Sequence, residues 1–145
     1  MFCYKNHRLC FGQMSFCIPE GYYLDCESGE GIDSIVRFWA PDKSYSVELR
    51  VNPECAGSEF ELASVLHDMK PTVLRAMEDV SVNGLSGYHA TYRTRKTQYY
   101  EMWLDIALGT TLSLLIETAR NIMDIDIPAL LTEIDLRGEM QETEN

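Results

Sequence analysis

The feature that most constrains the fold is an alternation of apolar and polar side chains with a period of two residues. Successive side chains of a β-strand point to opposite faces of a sheet, so this period predicts strands that bury one face. The alternation occurs at residues 35–40, 45–51, 88–93, 98–107 and 111–118. Short turns join neighbouring stretches, which favours antiparallel pairing. The sequence therefore predicts a hairpin and, later in the chain, a three-stranded antiparallel meander.

A helix is predicted between the hairpin and the meander. Ser58 and Glu61 have the spacing of a capping box, in which each side chain satisfies a backbone amide at the start of a helix. Apolar residues then keep helical spacing to about Asp79. Pro71 lies within this pattern and is expected to bend the helix or to split it. A short strand over residues 80–82 is expected to follow.

Shorter elements are predicted near both ends of the chain. Two apolar segments, residues 9–11 and 14–18, predict a first strand pair. Near the C-terminus, Asp126 is expected to cap a helix that covers residues 127–136. Residues 139–145 include three acids and are expected to form a flexible tail, which leaves residues 1–138 as a single domain.

These elements predict an α+β fold, a three-layer α/β/α sandwich with a central antiparallel sheet of about six strands and two main helices. Both helices carry an apolar stripe, which favours one helix on each face of the sheet. The face opposite the aliphatic one is half apolar or aromatic, whereas a face in contact with water alone would be mostly polar. We therefore expect a cover, either the C-terminal helix with Leu130, Leu131 and Ile134 or a partner. The predicted members of this face are Ile35, Arg37, Trp39, His89, Thr91, Tyr99, Glu101, Trp103, Asp105 and Leu115.

The net charge argues against two classes of partner. The chain has 12 lysines and arginines against 23 aspartates and glutamates, a formal net charge of −11. Nucleic-acid binders take most of their affinity from basic side chains, and an anionic membrane surface repels an acidic chain. Apolar runs are far shorter than the roughly 20 residues that span a bilayer, and the N-terminus lacks a signal-peptide pattern. We therefore expect no nucleic acid, no membrane and a cytoplasmic location.

Neither a metal nor a cofactor is predicted. The five cysteines do not form the closely spaced pairs of zinc or redox motifs, and we expect them to be reduced. The acidic segment 20–33 lacks the regular spacing of an EF-hand calcium loop. No glycine-rich loop of the kind that binds phosphate groups is present in the sequence.

His89 is the residue best suited to acid–base chemistry, although we predict no catalytic residue. If it shares a strand face with Glu101 or Asp105 on the neighbouring strand, a carboxylate could raise the pKa of its imidazole. Such cross-strand pairs are more often structural. A small-molecule-binding protein or enzyme with a His89, Glu101 and Asp105 pocket is therefore the alternative hypothesis for function.

The order of elements and the positions of the turns resemble those of the PsbP-like α/β/α sandwich family. The resemblance is carried by the strand end and turn at residues 16–22, the hairpin end at 51–53, the helix start at Ser58 and the segment 80–88. It extends over residues 9–138.

The resemblance implies a binding or scaffold domain more often than an enzyme. The PsbP-like family includes photosystem extrinsic subunits, a nuclear-import factor that binds a small GTPase, and many small bacterial proteins. Some bacterial relatives are chaperones for secreted effectors, which would suit a small acidic chain.

We predict a non-enzymatic intracellular domain that binds another protein, through the aromatic sheet face or through a groove beside it. Trp39, Tyr99 and Trp103 would supply rigid apolar contact area, and Arg37 a polar contact. Self-association of two such faces into a homodimer is a further alternative. The candidate binding residues are Arg37, Trp39, His89, Tyr99, Glu101 and Trp103.

Overall fold

The structure is a computed structural model that describes residues 3–5, 8–11, 14–25 and 35–138. In chain order the elements are β1 (Cys3–Lys5), β2 (Arg8–Phe11), β3 (Met14–Phe16), β4 (Tyr23–Leu24), β5 (Ile35–Trp39), β6 (Tyr45–Asn52), α1 (Ser58–Met69), β7 (Thr72–Val82), β8 (Leu85–Thr94), β9 (Thr97–Ala107), β10 (Thr110–Thr118), a short 3-10 helix (Ile122–Asp124), α2 (Ile127–Ile134) and β11 (Arg137–Gly138). The predicted tail, residues 139–145, and most of the acidic segment 20–33 lie outside the described residues.

The strands form two antiparallel sheets. Seven of them make a central sheet in the order β4-β5-β6-β10-β9-β8-β7, and the other four make a small sheet in the order β1-β2-β3-β11. The predicted hairpin is β5–β6, the meander is β8–β9–β10, and the first strand pair is β2–β3. The predicted α+β class, with an antiparallel central sheet and two main helices, is confirmed. The central sheet has seven strands rather than about six.

One side of the central sheet, which we call the first face, carries the main core. Its buried members include Val36, Phe38, Val47, Leu49, Met102, Leu104, Leu112, Leu114 and Ile116. Phe16 of the small sheet, Ile122 of the 3-10 helix, and Leu130 and Ile134 of α2 pack against them. The C-terminal helix therefore covers the first face, and its expected place over the aromatic face was wrong. Leu130 and Ile134 lie one turn apart, so they share the helix surface that meets the aliphatic side chains.

Helix α1 covers part of the opposite side of the sheet, which we call the second face. The helix contacts β8 and β9. Leu62 is fully buried beneath it, outside the core cluster of the first face. The central sheet thus has one helix on each face. The aromatic second face is covered in part by α1, and not by the C-terminal helix that we expected as one possible cover.

Helix α1 begins at the predicted residue but is capped differently from the prediction. The Ser58 amide donates to Asp105 Oδ1 at 2.8 Å, and the Ser58 hydroxyl donates to Asp105 Oδ2 at 2.7 Å. Glu61 accepts from the amide of Ala56 instead of the amide of Ser58. A carboxylate from β9 therefore satisfies the start of the helix, and the predicted capping box does not form.

The helical pattern beyond Pro71 was a wrong prediction. Helix α1 ends at Met69, and Lys70 adopts a left-handed backbone with φ of 48°. Proline disfavours the helical conformation of the residue before it, so the helix ends there, as a split would require, but no second helix begins at Pro71. The next residues form β7, an edge strand with two irregularities in its pairing with β8. None of the helices in the described part of the chain is long and apolar enough to cross a membrane.

Candidate functional site

The second face brings together most of the residues that the sequence singled out. Arg37 and Trp39 lie on β5, and Tyr99, Glu101 and Trp103 lie on β9. The pairing of β5, β6, β10 and β9 places all five side chains on the same side of the sheet. Both tryptophans are half-buried. The predicted grouping of the two tryptophans on one face is therefore correct.

A buried carboxylate fixes the aromatic side chains on β8 and β9. Glu101 is 7% exposed and accepts hydrogen bonds from the Tyr92 hydroxyl at 2.5 Å and from Trp103 Nε1 at 2.6 Å. Burial and the nearby Glu101 raise the pKa of Tyr92, so its hydroxyl remains a donor. Tyr99 stacks on Tyr92 with the ring centres 5.0 Å apart. These contacts hold the Trp103 indole in one orientation.

Charged side chains pair across β5 and β6 on the same face. Arg37 Nη2 donates to Glu48 Oε1 at 2.7 Å, and Arg50 Nη2 donates to Glu48 Oε2 at 3.4 Å. The arginine side chains remain 40% and 46% exposed, whereas the Glu48 side chain is 17% exposed. The shared glutamate positions two guanidinium groups at the surface.

Because α1 lies over β8 and β9, the second face of β5, β6 and β10 forms a shelf beside the helix that no other described element covers. Trp39 lies three strands from β9, about 14 Å away at the usual strand spacing. It lies in the same cross-strand row as Tyr99, four residues along β9 from the row of Trp103. The shelf and its border are formed by Ile35, Arg37, Trp39, Glu48, Arg50, Tyr99, Trp103, Ser113, Leu115 and Glu117.

A second concavity lies on the other side of the sheet, between the β7 end of the first face and α2. This cleft has a volume of about 730 Å³. Val80 of β7, Ile122 of the 3-10 helix and Leu131 of α2 form part of an apolar lining, and His89 and Tyr100 contribute polar groups. A concave site with an apolar lining and a few convergent polar groups is the usual form of a small-ligand site.

His89 lies in this cleft, and its predicted grouping with Glu101 and Asp105 was wrong. It pairs with Met102 across β8 and β9, so its side chain points to the first face. Glu101 and Asp105 lie on the second face, where they bind aromatic side chains and the start of α1. Thr91, also predicted beside Trp103, pairs with Tyr100 and lies on the first face with His89. A one-residue difference in register exchanges the faces of a strand, and the alternation within β8 does not decide between them.

Tyr100 is the partner of His89 that the sequence analysis missed. The His89 Nδ1 and Tyr100 hydroxyl are 2.8 Å apart, and the two rings meet edge to face. Burial lowers the pKa of His89, although Glu78 and Asp79 oppose the shift. Burial raises the pKa of Tyr100. Both groups are therefore neutral near pH 7.

The turn between β8 and β9 could have identified this pair. Arg95 and Lys96 form a two-residue connection, which pairs Thr94 with Thr97. Such a turn fixes the register of the whole hairpin, and counting back from it places His89 opposite Met102. Among the described side chains, no group of three or more histidines, cysteines, aspartates or glutamates converges on a metal-sized site.

Comparisons with known proteins show the fold. The cyanobacterial PsbP protein from Synechocystis, CyanoP, matches with a TM-score of 0.59 and 12% identity over 95% of this chain and 91% of that chain. The Ran-binding protein Mog1p from Saccharomyces cerevisiae matches with a TM-score of 0.55 and 10% identity over 88% of this chain and 91% of that chain.

A longer protein from Bacteroides thetaiotaomicron matches with a TM-score of 0.56 and 14% identity, over 87% of this chain but 45% of that chain. No family model and no curated protein sequence matches this chain. The predicted PsbP-like fold is confirmed by these structural matches.

Proposed function

We propose that this domain binds a protein partner on the shelf of its second face. The observation that carries the proposal is the limited extent of α1, which covers β8 and β9 and leaves aromatic and arginine side chains of the neighbouring strands partly exposed. Tryptophan, tyrosine and arginine are the residue types most enriched among the energetic centres of protein interfaces. The shelf combines all three types on a rigid sheet.

The bonding within the shelf supports this role. The indole of Trp103 is held by Glu101, and the guanidinium groups of Arg37 and Arg50 are held by Glu48. Side chains that are already fixed lose less conformational entropy when a partner binds. The shelf therefore offers apolar contact area and hydrogen-bond donors at a low ordering cost.

The charge of the shelf also suits a protein partner. Arg37 and Arg50 balance Glu48 and Glu117, whereas the whole chain carries a formal charge of −11. A partner that docks on the shelf therefore meets a locally neutral surface. The likeness to a Ran-binding protein, which covers nearly the whole of both chains, adds support for a protein-binding role.

The test uses two shelf variants and one matched control. Trp39→Ser removes an aromatic corner, and Arg50→Glu reverses an exposed charge, while neither residue belongs to the main core. Leu108→Ser removes a fully exposed apolar side chain in the turn between β9 and β10. A protein captured from the source organism is purified, and its dissociation constant is measured against each variant by calorimetry.

We expect both shelf variants to weaken binding by about tenfold or more, as truncation or charge reversal at an interface centre does. The Leu108 variant should bind like the unmodified protein. Unchanged affinity for both shelf variants, with unchanged thermal unfolding, contradicts the proposal.

Self-association through the same shelf is the competing outcome. Sedimentation velocity over a hundredfold concentration range distinguishes it from binding to a different protein. A concentration-dependent dimer that Trp39→Ser abolishes would assign the shelf to a second copy of this chain. If the protein is a monomer at all concentrations, self-association through the shelf is excluded, and binding of a different protein is the hypothesis that stays.

A further inference from the structure

We propose that the cleft between the first face and α2 binds a small uncharged amphiphile, an apolar chain or ring that carries a carbonyl oxygen, with that oxygen accepting from His89 Nε2. This site lies on the opposite side of the sheet from the shelf, so it is independent of the proposed protein-binding function.

The contact between His89 and Tyr100 determines which hydrogen bond the cleft can offer. The Tyr100 hydroxyl has two acceptors within reach, His89 Nδ1 at 2.8 Å and Met102 Sδ at 3.6 Å. A thioether is a weak acceptor, so we infer that the hydroxyl donates to the imidazole nitrogen rather than to the sulfur, which the nitrogen-15 shifts described below test. A neutral imidazole that accepts at Nδ1 carries its proton on Nε2. The second ring nitrogen is therefore a donor.

That donor has no hydrogen-bond partner among the described residues, and the ring lines the cleft. A polar group that is half-buried and unpartnered costs free energy unless water or a ligand satisfies it. A carbonyl oxygen supplies the missing acceptor without bringing a charge into the cleft. The site is thus built for an acceptor group at one defined position.

The charges around the cleft disfavour an anionic ligand. Among the described residues that line the cleft, Glu78 of β7 and Asp126 before α2 face the guanidinium of Arg75. Asp135 also lines the cleft, but Arg8 pairs with its carboxylate. The molecule as a whole is strongly acidic. A carboxylate head group would meet repulsion from both sources, although it is a good hydrogen-bond acceptor. The Nε2–H donor together with the nearby carboxylates therefore favours a ligand whose acceptor group is uncharged.

The remaining lining accounts for the apolar body of the ligand. Ile122 and Ile127 lie on the side of the 3-10 helix and α2, and Val80 and Val82 lie on the side of β7. A volume of about 730 Å³ is within the range of small-molecule sites. An eight-carbon chain with one amide group therefore fits the cleft in both size and chemistry.

The test compares three probes that share one alkyl chain and differ in head group: octanamide, octanoate and octylamine. Each is titrated into the full chain below its micelle concentration, and backbone amide shifts are followed by NMR. We expect octanamide to shift residues of the cleft, and to bind about tenfold more tightly than octanoate because the carboxylates repel the anion. Octylamine is attracted by the same carboxylates but cannot accept from Nε2–H, so we expect it to leave the nitrogen-15 shift of His89 Nε2 unchanged.

Two variants and one spectroscopic measurement make the test specific. His89→Leu removes the donor and should weaken octanamide binding about tenfold, the usual cost of an unmade buried hydrogen bond. Trp39→Ser, on the opposite face, should leave octanamide binding unchanged. Nitrogen-15 shifts of the imidazole in the unmodified protein should show the proton on Nε2, a result that does not depend on the folding of any variant.

Three results would overturn the proposal. The first is equal or tighter binding of octanoate, and the second is the absence of octanamide shifts in the cleft. The third is an imidazole that carries its proton on Nδ1. Failure of the shelf variants to affect a protein partner would have no bearing on these outcomes.

Discussion

Burial of His89 against Tyr100 changes the pH at which its imidazole takes up a proton. Burial lowers the pKa of His89 below its ordinary value of 6.5, so the unfolded chain binds this proton first as the pH falls. The free energy of unfolding should therefore decrease as the pH falls through the window that begins at 6.5 and ends at the lower folded pKa. Above that window the contribution of the neutral, buried His89 to the free energy of unfolding is fully present.

We expect an NMR titration of the His89 imidazole to have its midpoint below pH 6.5. Urea unfolding between pH 7 and pH 5 should show a smaller loss of stability for His89→Gln than for the unmodified protein, because glutamine does not titrate. A midpoint at or above 6.5 would show that the neighbouring Glu78 and Asp79 outweigh burial, contrary to this account.

Gly87 is a residue at which no other side chain fits. It lies on β8, where a Cβ would overlap the carbonyl oxygen of Trp103 on β9 and lie 2.8 Å from the Cα of Leu104. These are backbone atoms in the middle of the sheet, so neither can move away without breaking the pairing of β8 and β9. We expect Gly87→Ala to destabilise the protein by about 3 kcal/mol or more, as severe overpacking does.

Circular dichroism with urea unfolding measures this effect. Gly109→Ala is a suitable control for loss of a glycine, since Gly109 lies in a turn where an added Cβ meets no atom within 4 Å. Its positive φ of 75° still carries a modest cost. Equal stability of the two variants would contradict the close approach of the strands at Gly87.

At the scale of single elements, α1 depends on a residue that is distant in sequence. The Asp105 carboxylate accepts hydrogen bonds from both the amide and the hydroxyl of Ser58. We expect Asp105→Ala to destabilise the protein by about 1–2 kcal/mol, the usual cost of losing a helix cap. Ser58→Ala keeps the hydrogen bond from the backbone amide to Asp105, so its loss of stability should be smaller. Equal stability of Asp105→Ala and the unmodified protein in urea unfolding would show that the helix start is satisfied in another way.

The small sheet is fastened to the end of α2 by one buried arginine. Arg8 is 8% exposed and donates to Ser15 Oγ at 3.1 Å, to Asp135 Oδ2 at 2.9 Å, and to the Asp135 carbonyl oxygen. We expect Arg8→Ala to cost about 2 kcal/mol, because several buried acceptors lose their donor. Lysine cannot reproduce the forked donation, so Arg8→Lys should recover less than half of the loss. Full recovery by lysine in urea unfolding would contradict this role.

The elements show where sequence reasoning succeeds and where it fails. Strict alternation and short turns placed the hairpin and the meander correctly, because both signals are local. The β7 strand was mistaken for a helix because its apolar spacing also fits a helical period, and Pro71 ended α1 instead of bending it. The cap supplied by Asp105 joins residues 47 positions apart, and no local pattern reports such a contact.

For the whole molecule, the decisive question was which side chains share a face of the sheet. Trp39 and Trp103 were grouped correctly, because the alternation in β5 and β9 has one clearly aliphatic side. In β8 both sides carry aromatic or small residues, so His89 was assigned to the wrong face. The grouping of the tryptophans with Arg37 and Tyr99 was therefore predictable from the sequence, whereas Glu48 and Arg50 were not assigned to that face. The cleft depends on a register that the turn at Arg95 and Lys96 reveals.

The second face is partly open in the folded chain, and the tryptophans report on it directly. The chain has two tryptophans, and both lie on that face. Native tryptophan fluorescence, excited selectively over that of the tyrosines, therefore arises from the shelf and its border.

Acrylamide quenching of this fluorescence is the most direct measurement. We expect quenching of the native protein at an intermediate rate, slower than in urea but well above that of a buried indole, with a decrease when a protein partner binds. Quenching as slow as that of fully buried tryptophan, in a protein shown to be monomeric, would mean that the face is already covered and that no shelf is available to a partner.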